Sequence, residues 1–77
     1  MPLRVTSPGP VRVTVHNRAG RLVREVLPGA TLGAGANLIR WDGRDGTGRA
    51  VEDGLYLVAV ESLGERQVRT LAVVRGR

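Results

Sequence analysis

The sequence contains no cysteine and no phenylalanine, and its twelve basic residues are all arginine. Without thiols there is no disulfide, no Cys-based zinc fold, no redox motif and no cysteine nucleophile. The lone histidine, His16, excludes a multi-histidine metal site. With one Trp and one Tyr, a surface that stacks nucleobases has few platforms to draw on. No apolar run approaches the roughly 18 residues of a membrane-spanning helix. Residues 1–7 show no apolar signal-peptide core.

What is present points to strands and turns. At 77 residues the chain has room for one small domain, expected to span 1–77. A domain of this size withdraws only about 60–65% of its unfolded surface from water, so its stability is thin. Apolar residues make up 42%, with 12 Val and 9 Leu against one Ile, and 11 Gly and 4 Pro punctuate them. That pattern favours short β-strands separated by tight turns. No stretch over ten residues carries a helical period, so helix is expected to be nearly absent.

The clearest strand is 11–16, where Val11, Val13 and Val15 alternate with Arg12, Thr14 and His16. Ser7-Pro8-Gly9-Pro10 reads as a turn before it. Asn17-Arg18-Ala19-Gly20 closes a hairpin onto a return strand at 22–27, with a bulge near Arg24-Glu25 and an end at Pro28-Gly29. The small, Gly-rich 30–37 reads as a crossing loop. A strand at 38–41 then carries Ile39 and Trp41 on one side, and 42–54 forms a long turn. Strands at 55–63 and 68–74 follow, joined by Gly64-Glu65-Arg66-Gln67, and a further short strand at 3–6 opens the chain. Trp41 is expected to be the central core side chain. Tyr56 shares parity with Val58 and Val60 and is expected to face inward, its hydroxyl finding a backbone partner.

The formal net charge is +5, with a pI near 11.5. The arginines are dispersed, which favours solvated strand faces. Arg4, Arg12, Arg24, Arg40, Arg69 and Arg75 fall inside expected strands, where charge discourages edge-to-edge pairing. The alternative is a small basic β-domain that binds nucleic acid through arginine-rich strand faces, with Arg12, Arg24, Arg40 and Arg69 on phosphates. The sequence weighs against that alternative, because Trp41 and Tyr56, the only aromatic platforms, both look like core.

No constellation of residues supports catalysis. His16 lies on the polar face of its strand, and neither Ser7 nor Ser62 sits in a nucleophile motif. The carboxylates occupy loop tips. Asp42, Asp45, Glu52 and Asp53 fail a calcium-loop template, since Arg44 and Gly46 stand where oxygen ligands belong. Gly43-Arg44-Asp45-Gly46-Thr47-Gly48 lacks the Lys-Ser/Thr of a phosphate loop. Catalytic, cofactor-binding and metal residues are all expected to be absent. The informative residues are structural: Trp41, Tyr56, Ile39, Val13 and Val15 as core, and Asp42, Gly43, Gly54 and Gly20 as turns.

Gly20-Arg21-Leu22-Val23, then Trp41-Asp42-Gly43, then Gly54-Leu55-Tyr56 and a closing hairpin follow one another between residues 11 and 75. This order resembles the Ig-like domain of the bacterial flagellar hook-capping protein and its relatives at the C-terminal ends of secreted bacterial proteins. The chain differs in having His16 where the family usually has Tyr. It offers only residues 1–6 for the family's opening strand, so an edge strand is expected to be missing. The resemblance implies an all-β, Ig-like sandwich of six or seven short antiparallel strands. It also implies a non-enzymatic, extracellular or cell-surface module that supports sorting, attachment or self-assembly of a secreted protein. Partners would be other proteins or copies of itself, met at strand edges in a homo-oligomer or filament, with no cofactor.

Overall fold

The computed structural model describes residues 2–5, 8–62 and 64–74, with side chains described from Val5 onward. Among the described residues six strands run in the order β1 (Pro2–Val5), β2 (Gly9–His16), β3 (Leu22–Leu32), β4 (Gly35–Leu38), β5 (Gly54–Ser62) and β6 (Glu65–Val73). There is no helix among the described residues. All strand pairs are antiparallel and form two sheets, one of β1–β4 and one in the order β3-β2-β5-β6. The fold class is the all-β, antiparallel one that the alternating valines imply.

Alternation decides which face of the larger sheet is dry. Val11, Val13 and Val15 are 0–1% exposed. In register with them, Val60 lies opposite Val13 and Val58 opposite Val15, which puts Tyr56 on the same face. Val5 and Ile39 complete the buried cluster, and Trp41, Val26, Leu27 and Leu71 pack against it half-buried. Burying a valine side chain contributes roughly 1.5–3 kcal/mol, and a valine core of this kind is the main driving force available to a chain without Phe. The opposite face is not uniformly wet. Thr14 is buried on it, opposite Glu25 and Ala59, and its hydroxyl is bonded to His16 Nε2 at 2.9 Å.

Several sequence expectations need correction. Gly9 and Pro10 belong to β2, not to a turn; Pro10 pairs only with β3, so its missing N–H breaks no second ladder. β3 does not end at Pro28-Gly29 but continues to Leu32, with register shifts between Val11/Arg12, Val13/Thr14 and Val15/His16 on its partner. The last two flank the Thr14–Glu25 and Val15–Arg24 pairs, where irregularity was expected. Such shifts let an edge strand absorb Pro and Gly while it stays paired on one side. The 30–37 crossing loop is largely strand, and the expected strand at 38–41 is instead β4 at Gly35–Leu38, which leaves Ile39, Arg40 and Trp41 outside it. β6 begins at Glu65, earlier than expected. Arg12 lies on a central strand and Arg40 on none, so neither guards an edge. Thr6, Ser7, Leu63 and Arg75, used in that reading, lie outside the described residues.

Candidate functional site

The segment that carries the Trp-Asp-Gly motif leaves the smaller sheet after Leu38 and enters β5 at Gly54. Its short polar side chains close it on itself. Asp42 Oδ1 accepts the Arg44 N–H at 3.0 Å, and Gly43 takes φ +74°, a conformation that a Cβ disfavours. Asp45 Oδ1 accepts the N–H groups of Thr47 at 2.9 Å and Arg49 at 3.1 Å, and the Thr47 hydroxyl at 2.6 Å. An Asx turn of this kind lets one carboxylate satisfy several loop amides. Backbone bonds from Asp45 N–H to Arg49 O and from Val51 N–H to Gly43 O, with an Arg44–Ala50 bridge, finish a small hairpin.

Larger side chains lock that hairpin to the sandwich. Trp41 Nε1–H donates to Arg44 O at 2.9 Å. Its ring meets Tyr56 edge-on, with centroids 5.8 Å apart and planes at 70°. The Tyr56 hydroxyl donates to Glu52 O at 2.6 Å. From β3, Arg24 Nη1 donates to the carbonyls of Arg44 (3.2 Å) and Asp45 (3.1 Å) and lies 3.6 Å from Asp42 Oδ1. The Gly46 N–H reaches Val23 O at 3.1 Å. Trp41 is therefore not the centre of the core, which belongs to the valines of β2. The indole is half-buried, packed against the core, and its Nε1–H holds the loop. Val13, Val15, Ile39 and Tyr56 sit in the buried cluster.

The remaining turn residues also serve the backbone. Gly20 has φ +85°, and Asn17 Oδ1 accepts the N–H groups of Ala19 and Arg21 at the β2–β3 turn. Gly54 opens β5. Bonds from Thr47 and the Thr47 and Arg49 amides hold the Asp45 carboxyl below the usual 3.8 of an aspartate, and the Arg49 charge adds to this.

Chemistry has little to work with here. An open groove of about 650 Å³ runs past Arg24, Ile39, Arg40, Trp41 and Asp42, but Arg24 and Asp42 already face one another. A narrower cavity of about 160 Å³ is lined only by apolar side chains, among them Val13, Ile39, Trp41 and Leu71. No group of three His, Asp or Glu side chains assembles for a metal among the described residues. His16 meets Thr14, not a carboxylate. The basic residues do not converge. Arg12 is opposite Pro28 on the outer face and pairs with Glu25 at 3.1 Å, whereas Arg24 and Arg69 lie in register with Val15 and Val58 on the inner side. Sequence reasoning missed the role of Arg24. Asp45-Gly46-Thr47 carried the Asx-turn signal, while nothing local to Arg24 marks what lies 20 residues on.

No curated protein matches the chain. A family model for the FlgD Ig-like domain matches residues 3–65, reaching further toward the N-terminus than the resemblance read from the motifs and stopping at the first residue of β6. That span takes in the valine strand, the Trp-Asp-Gly loop and the Gly-Leu-Tyr entry to β5, and with it the chain belongs to the FlgD Ig-like domain family.

Proposed function

We propose that residues 1–77 act as one non-enzymatic assembly domain of an extracellular or cell-surface bacterial protein. It works by contact with other proteins or with copies of itself, and the edges of its sheets are the contact sites. One observation carries this reading: Trp41, Asp42, Asp45, Arg24 and Tyr56 direct their polar atoms to the chain's own backbone. The most elaborate part of the molecule thus builds shape and leaves no aligned set of reactive groups. Membership of the FlgD Ig-like family supports a place in a flagellar-type or other surface assembly. Trp41, Tyr56, Ile39, Val13 and Val15 are then scaffold, and Asp42, Gly43, Gly54 and Gly20 shape its turns.

A second reading, nucleic-acid binding, has the net charge of +5 on its side. The opposed placement of Arg12 against Arg24 and Arg69 weighs against a single phosphate-tracking surface. Sedimentation velocity over rising protein concentration, beside titration of a labelled oligonucleotide at two salt concentrations, separates the two. Assembly predicts a weight-average mass that climbs with concentration and only weak oligonucleotide binding. A monomer at every concentration with tight, steeply salt-dependent oligonucleotide binding would overturn it.

A further inference from the structure

The four-stranded sheet ends in two unlike edges. β3 is interrupted by three register shifts against β2 and contains Pro28 and Gly29. Its free side therefore offers no continuous row of donors and acceptors. β6 pairs with β5 over nine consecutive residues without a shift and contains neither proline nor glycine. Residues 65–70 are exposed, and no strand covers the far side of β6 among the described residues. A straight, regular strand with one open side is what an added antiparallel strand requires.

Charge selects the occupant. Glu65, Gln67 and Arg69 share one face of β6, opposite Ser62, Val60 and Val58. Neither Glu65 nor Arg69 has an ion-pair partner among the described residues. Take a second copy of β6 running antiparallel about Gln67. Glu65 then faces the partner's Arg69, Arg69 faces the partner's Glu65, and Gln67 faces its own counterpart. The two-fold axis makes both unlike-charge pairs at once. On the other face Val68, 52% exposed, comes opposite the partner's Arg66, whose aliphatic stem can cover it. Centring the pair on Arg69 lengthens the ladder but sets Arg69 against itself. Centring it on Val68 opposes no unlike charges.

We infer that β6 is a self-association edge, pairing about Gln67 to join two four-stranded sheets into one continuous sheet. The inference deepens the proposed assembly role and rests on it. Sedimentation velocity of the full chain tests it by charge exchange. Arg69→Glu or Glu65→Arg alone turns two attractive cross-strand pairs into two repulsive ones and weakens dimerisation by about tenfold or more. The double variant Glu65→Arg/Arg69→Glu restores it to near the wild-type value. Far-UV circular dichroism checks that each variant folds, and the two single variants serve as independent probes. Self-association that ignores both single exchanges, or that the double exchange fails to rescue, overturns the β6 edge and leaves the assembly role standing. A wild-type chain that stays monomeric throughout overturns the β6 edge and the self-assembly form of the proposed role, and leaves contact with other proteins as its only form.

Discussion

Val11, Val13 and Val15 are the largest side chains fully withdrawn from water, so the centre of this domain is built from methyl groups. Removing two of them in Val13→Ala should cost about 2 kcal/mol, because a central strand between two neighbours cannot collapse into the gap. Urea denaturation gives the figure directly. Trp41 contributes differently. Packed half-buried against the core with Nε1–H on Arg44 O, Trp41→Phe should lose about 1 kcal/mol from the missing donor. Trp41→Ala should lose about 2–3 kcal/mol, below the roughly 3–5 of a fully buried indole; a value at the upper figure would place the ring deeper than it lies here. Alternation made the valines legible in the sequence. The burial of Trp41 was not, since it sits three residues beyond the end of β4, where period-2 reasoning no longer applies.

The 39–53 loop behaves as an element in its own right, clamped to β3 by Arg24. Arg24→Met keeps the aliphatic stem but removes the bonds to Arg44 O and Asp45 O. About 1–2 kcal/mol should be lost, with faster hydrogen exchange at the Gly46 amide, which reaches Val23 O across the same junction. An unchanged exchange rate there would count against the clamp. Gly43, at φ +74° with open space around its Cα, tests the loop from within: Gly43→Ala should cost about 1–2 kcal/mol from backbone strain alone, read by thermal denaturation. The turn chemistry of Asp42-Gly43 and Asp45-Gly46 was visible in the sequence because such bonds span only two to four residues. The continuation of β3 through Pro28 and Gly29 was not, because edge strands tolerate residues that local propensity rejects.

A single domain of this size is expected to have thin stability, which makes its acid limit informative. The folded Asp45 carboxyl titrates below the 3.8 of an unperturbed aspartate, so it favours the folded state fully above that value and loses the contribution as pH falls through the folded pKa. Thermal melts should drop below about pH 4, and Asp45→Asn should flatten that drop. A wild-type slope retained in the variant would assign the acid sensitivity elsewhere. Folding should be slow for so short a chain, in milliseconds to seconds by stopped flow, because β2 must find β5 across β3, β4 and the loop before the core closes.

The sequence by itself determined the strand-and-turn character, the dry valine face of β2, the inward parity of Tyr56 with Val58 and Val60, and the family pattern. These follow from alternation and turn chemistry, which act over a few residues. Only the tertiary structure decided that β2 lies between β3 and β5, that Arg24 holds the Trp-Asp-Gly loop, and that β6 is the regular open edge. Those outcomes depend on which strands meet, a choice made by the burial of whole faces at once and not by any residue's own preference.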